Sequence, residues 1–218
     1  MRWRRILTAV SLIIVLVGMT ATGLFFSIKH LPHFYVESAM PEGEMRRVNS
    51  IEFLQRVNSI YNNYPDWGEV ITTDQINSFF QEDLVRSWGG DANFPDRFHD
   101  PRIQFENGRL LVGIRYLNGF LSSIVSIDAR VWLVANEVNM IGIEILDLKL
   151  GMLPISRQII LDFITEMASR HKISCKWYRH NGNPAAILKL QADKSTPTMV
   201  LKRFQLQQGK MIIVRHSL

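Results

Sequence analysis

Asp96, His99 and Asp100 stand together in the stretch Phe94-Pro-Asp-Arg-Phe-His-Asp-Pro101. Two carboxylates beside an imidazole are the groups of an acid/base site or a hard-metal site. The two prolines make the stretch a solvated loop, and neither a third histidine nor a carboxylate pair lies in register nearby. His30 and His33 have i, i+3 spacing and sit beside Phe34 and Tyr35. Amphipathic rings favour the headgroup zone of a bilayer, so an interfacial belt accounts for all four. Trp177, Tyr178, Arg179, His180 and Asn181 lead into a Gly-Asn-Pro turn. Large hydrogen-bonding and aromatic groups crowded at a loop are typical of recognition surfaces, and these five are the candidate binding residues. A strand entering a hairpin has the same composition. The single cysteine, Cys175, alternates with Ile173 and Trp177 and is expected to pack as a small hydrophobe, with no internal disulfide.

The sequence holds no Gly-rich phosphate loop, Gly-x-Ser-x-Gly elbow, His-Glu-x-x-His helix or paired-cysteine zinc pattern. No catalytic residue, metal ligand or cofactor is therefore expected.

The element that must position everything else is N-terminal. Ile6 to Ile28 contains no Asp, Glu, Lys or Arg, and Arg2, Arg4 and Arg5 precede it. As a helix it covers roughly 34 Å, enough for a hydrocarbon core of about 30 Å. Thr8, Ser11, Thr20, Thr22 and Ser27 can bond back to the helix backbone. Only Ala21 and Gly23 suit a signal-peptidase site, yet Leu24, Phe25 and Phe26 continue the apolar run. An uncleaved signal anchor is expected, with a single pass. Three arginines before the span against Lys29 closely after it place the N-terminus in the cytoplasm and the rest outside.

The net charge of +5 comes largely from those arginines, so the remainder is close to neutral. That gives no warrant for nucleic-acid binding. The basic N-terminus suits topology and anionic inner-leaflet lipid.

The chain divides into residues 1–28, basic N-terminus and transmembrane anchor; 29–48, a linker marked by Pro32, Pro41 and Gly43; and 49–218, one domain. In the domain, Asn49 and Glu52 have capping-box spacing ahead of Phe53, Leu54, Val57, Ile60 and Tyr61, and Asn62-Asn63-Tyr64-Pro65 ends that helix. Thr72 and Gln75 cap a second helix with Ile76, Phe79, Phe80 and Leu84 on one stripe, closed by Gly89-Gly90.

From Arg102 the period changes to two. Asn107-Gly108 predicts a type I′ hairpin pairing Glu106 with Arg109, Phe105 with Leu110 and Ile103 with Val112. A strand follows Gly119. The next, over Val138 to Leu150, changes parity, which an inserted bulge near Ile145-Leu146 reconciles. Ser156 caps a third helix with Ile159, Ile160, Phe163, Ile164 and Met167 inward. Two strands flank Asn181-Gly182-Asn183-Pro184, and a last hairpin folds at Gln208-Gly209. The architecture is α+β: a twisted antiparallel sheet of some six to eight strands with two or three packed helices. Leu111, Leu117, Ile124, Trp132, Ile212 and Val214 make parts of the second sheet face apolar too. Helices, a partner or an apolar ligand are expected to cover it.

This order of features resembles a family. A basic N-terminus and one span lead to Thr72-Thr-Asp-Gln-Ile-Asn-Ser-Phe-Phe80, then Pro101-Arg-Ile-Gln-Phe-Glu-Asn-Gly-Arg-Leu-Leu-Val112. A strand then ends in Leu150-Gly-Met-Leu-Pro-Ile-Ser156 and opens a helix. The chain is similar here to the YpmS-like single-pass bacterial envelope proteins, over about half of the domain. The resemblance implies an extracytoplasmic (periplasmic) α+β domain in a bacterial envelope, implies no catalysis, and brings no functional residues with it.

The leading expectation is thus a non-enzymatic, membrane-anchored domain that binds an apolar ligand or lipid, or assembles with an envelope protein. The competing one is an envelope-acting hydrolase or metal-dependent enzyme using Asp96, His99 and Asp100. A structural spacer is the third.

Overall fold

The uncharged run folds as one helix, α1 (Arg2–Lys29), in a computed structural model that describes residues 2–61, 66–84, 97–119, 121–135, 137–170, 173–190 and 199–217. Its segment Val10–Lys29 is, among the described residues, the one helix long and apolar enough to cross a membrane. The hydroxyls of Ser11, Thr20, Thr22 and Ser27 each donate to the carbonyl four residues back, at 2.8–2.9 Å, so no polar group on them is left to lipid.

Residues 29–48 are more than a linker. They hold a short helix, α2 (His33–Glu37), and the start of α3 (Glu44–Tyr61). Tyr35 is 1% exposed, so it belongs to the interior and not to an interfacial belt. Asn49 lies inside α3 and caps nothing. The helix begins five residues earlier because its inner face is partly polar, which apolar periodicity does not register. Arg46 Nε donates to Glu82 Oε1 at 2.6 Å, Ser50 donates to Asp83, and Glu52 accepts from Gln75 Nε2 at 2.8 Å. The proposed stop at residues 62–65 lies outside the described residues, as does Gly89-Gly90.

A strand that the sequence reading lacked, β1 (Asp66–Thr72), precedes α4 (Thr73–Phe79). Its inward row is Trp67, Glu69 and Ile71; the carboxylate in the middle, paired with Arg56, hides the alternation. The capping box at the start of α4 is present in both directions: Gln75 N–H donates to Thr72 Oγ1 at 3.2 Å, and Thr72 N–H to Gln75 Oε1 at 3.0 Å. A π-helical turn, Phe80–Leu84, extends the helix.

Seven strands form the main antiparallel sheet: β2 (Phe98–Glu106), β3 (Arg109–Asn118), β4 (Leu121–Leu133), β5 (Met140–Leu150), β6 (Leu153–Pro154), β7 (Ser174–His180) and β8 (Asn183–Lys189). Their order is β2-β3-β4-β5-β8-β7, with β6 on the end of β5. A second sheet has the order β1-β10-β9, built with β9 (Met199–Gln207) and β10 (Lys210–Ser217). The α+β class therefore holds, with three strands more in a separate sheet.

The predicted β2–β3 register is found, Glu106 opposite Arg109 and Ile103 opposite Val112. The turn differs: Gly108 has φ 71°, while Asn107 keeps a negative φ, so the type I′ geometry is absent there. It occurs instead at the other Asn-Gly, where Asn181 (φ 50°) and Gly182 (φ 83°) join His180 to Asn183. Gly108 is also held from outside, donating its N–H to Leu206 O at 3.0 Å, and that tertiary bond outweighs the local preference. The bulge falls where expected: Ala129 faces Ile145, Asp128 faces Asp147, and Leu146 is the extra residue.

The core lies between one face of the main sheet and the small sheet with its helices. Ile71, Ile76, Ile103, Phe105, Val131 and Leu206 are buried in it, with Phe53, Phe80, Ile141 and Ile143 packed around them. Burying each such side chain is worth about 1.5–3 kcal/mol. The last helix, α5 (Gln158–Arg170), leans on edge strand β7 and leaves Phe163 41% exposed, against the expectation that it points inward. Ala168 is buried instead.

Candidate functional site

Part of the second face of the main sheet is covered by the chain leaving α1. Ser123 Oγ donates to Ile28 O at 2.5 Å, and Met152 N–H donates to Ser27 O at 2.8 Å. These two carbonyls lie at the helix end, where no intrahelical donor reaches them. Gly151 (φ 61°) makes the approach feasible, because a Cβ there would land on the same two carbonyl oxygens.

A few residues on, Tyr35 locks the segment to β2 and β3. Its hydroxyl donates to Asp100 O at 2.7 Å, with the Asp100 carboxylate 3.0 Å away. Arg102 Nη1 donates to Tyr35 O at 2.7 Å, and its guanidinium sits 4.4 Å from the ring centroid. Gly113 leaves the room for the ring: a Cβ there would strike Tyr35. Burial first, then the Asp100 charge, pushes the Tyr35 phenol far above its usual range.

Between this segment and the sheet runs a groove of about 320 Å³. His30, Pro32 and Phe34 form one wall; Leu111 and Met152 supply apolar floor; Ser126, Asp128, Asp147 and Lys149 supply polar groups. Its place is fixed by the bonds at Ser27 and Ile28, so it opens beside the last turn of the anchor. Sequence reasoning missed it, because residues from five separate segments build it. The signal was there only in part, as Leu111 on the second sheet face and His30 at the span's end.

The sequence-marked residues distribute as follows. Asp96 lies outside the described residues. His99 is exposed, and the Asp100 carboxylate is held by Arg102 Nη2 at 2.7 Å, with Arg115 Nη2 at 3.8 Å. Asp100 has φ 48° at an irregularity in the β2–β3 pairing, which aims it at Tyr35. That is a structural clasp. His33 pairs with Glu37 at 3.1 Å on an exposed turn of α2, while His30 reaches the groove.

Trp177, Tyr178 and Arg179 line a second, more open groove of about 610 Å³ with Ser156, Arg157, Gln158, Leu161, Gly182 and Pro184. His180 and Asn181 do not join them. Trp177 Nε1 donates to Thr165 Oγ1 of α5 at 2.8 Å, whereas the His180 ring, in the same alternating row as Tyr178 and 6.5 Å from it, lies 5.9 Å from Trp132. Asn181 serves the turn. Beneath them Glu144, 1% exposed, accepts from Arg130 at 3.0 Å and from Asn183 at 2.9 Å. Asn183 in turn accepts from Arg157 at 2.9 Å. Cys175 is half-buried and free, and burial pushes its thiol up. Among the described residues no three His, Cys, Asp or Glu converge as metal ligands.

A scan against family models finds no match, and searches of curated proteins and of solved structures at the same stringency find none either.

Proposed function

We propose that this chain is a single-pass, membrane-anchored binding protein without catalytic activity, its domain on the extracytoplasmic side of a bacterial envelope, and that it takes lipid at the groove beside its anchor. The observation that carries the reading is joint construction. The segment leaving the span forms one wall of the groove and the sheet forms the other, so the mouth stands at headgroup level when α1 crosses the bilayer. An apolar floor with a few polar groups suits an amphiphile. Orientation follows from Arg2, Arg4 and Arg5 before the span.

Native mass spectrometry of the full chain tests this, before and after delipidation. The full chain is needed, since truncation at Met40 removes His30, Pro32, Phe34 and Tyr35 and opens the groove. A lipid-sized adduct lost on delipidation supports the reading; a bare protein mass from a native membrane extract rejects it.

The second reading, assembly with an envelope protein, has its own observation. β7 is an edge strand whose outer side pairs with no described strand, flanked by exposed Phe163 and Tyr178. Against the enzyme reading, the Asp100 carboxylate is engaged by two arginines and Tyr35, and exposed His99 lines neither groove; Asp96 lies outside the described residues.

A further inference from the structure

The anchor groove carries both signs of charge side by side. Asp147 and Lys149 are two apart on β5 and share a face, with Lys149 Nζ 2.6 Å from Asp147 Oδ2. Their side chains are 40% and 44% exposed. Asp147 Oδ1 accepts from Leu148 N–H at 2.9 Å, which fixes the carboxylate with Oδ2 on Lys149. Across the strand pair, Asp128 lies opposite Asp147 and is held bidentately by Arg109. Each carboxylate thus has its own cation, Lys149 within the lining for Asp147 and Arg109 outside it for Asp128.

Paired charges of both signs select against single-sign ligands. An anionic headgroup would meet Lys149 but also two carboxylates; a bare amine would meet the reverse. A molecule bearing one positive and one negative group a few bonds apart can take both partners of the Asp147–Lys149 pair by exchange. The groove's volume, about 320 Å³, stands at the low end of the roughly 300–1,000 Å³ of small-molecule sites. It has room for a headgroup and glycerol, with the acyl chains left in the bilayer beside exposed Phe25 and Phe26.

Resting on the lipid reading above, we infer that the groove binds the aminoethyl phosphate headgroup of a phospholipid from the leaflet the anchor emerges into. Asp147 takes the ammonium, Lys149 takes the phosphate, and His30 closes the rim.

The test uses the full chain in nanodiscs of equal phosphatidylethanolamine and phosphatidylglycerol, released into mild detergent and weighed by native mass spectrometry. The retained lipid is expected to favour phosphatidylethanolamine by about fivefold, the upper range for one solvent-exposed ion pair. Asp147→Asn brings the ratio to parity, and Lys149→Gln lowers retention of both lipids. Glu166→Gln, on α5 and outside the groove lining, leaves the ratio unchanged. Retained lipid with no preference, or with phosphatidylglycerol in excess, overturns the headgroup assignment and leaves the lipid reading standing. No retained lipid of either kind overturns both. The wild-type ratio decides the matter even if a variant fails to fold.

Discussion

Tyr35 is the residue on which the anchor's exit depends. It contributes a hydrogen bond to Asp100, a stacked guanidinium from Arg102 and a ring seated over Gly113. Tyr35→Phe keeps the ring and removes the hydroxyl, and is expected to cost about 1 kcal/mol at neutral pH. The pH dependence has a definite sign. The folded-state pKa is raised, so the stability from Tyr35 is fully present below the unfolded value near 10.0 and is lost as pH rises above it. Thermal melts of wild type between pH 8 and 11 should fall steeply at the alkaline end, and Tyr35→Phe should flatten that fall. An identical alkaline fall in the variant would show that another group carries it. The sequence marked this residue's type and neighbours but assigned it to the bilayer surface. Its true partners, Asp100 and Arg102, are more than sixty residues away. Nothing local in a sequence signals such a pairing.

At the scale of elements, the local rules held where the local chain sets the geometry. The Thr72–Gln75 box, the β2–β3 register and the bulge at Leu146 all rest on near neighbours. They failed where distant chain intervenes. Gly108 bonds to β9 and its turn departs from type I′; β1 carries an inward Glu69 paired with Arg56; α3 starts early on polar contacts. The candidate site divides the same way. Trp177, Tyr178 and Arg179 line a groove, but His180 lies beside Trp132 outside its lining, and the first groove was invisible because its walls meet only in three dimensions. The joint between α1 and β5–β6 is the element contact that the proposed lipid site needs. Gly151→Ala should disrupt it, combining a strained positive φ with a clash against Ser27 and Ile28, at a cost of about 1–3 kcal/mol. Hydrogen exchange reads this locally: the Met152 amide, which donates to Ser27 O, should exchange faster, while the Gln75 amide in the capping box stays protected. Unchanged protection at Met152 would mean that the anchor's end is not seated there.

For the whole molecule, the central feature is one continuous path from the apolar helix to the groove: docked helix end, buried Tyr35, then sheet. A tethered domain on a flexible linker would sample many heights above a membrane. The proposed anchor would hold the groove at one height, beside the last turn of α1. The most direct measurement is photo-crosslinking in the native membrane, with benzoylphenylalanine replacing Met152 at the groove lip, 55% exposed, and Met45 on α3, 75% exposed, as the control. The account predicts lipid adducts at position 152 and few at position 45. Equal yields at both positions, or a protein adduct and no lipid at 152, would contradict it.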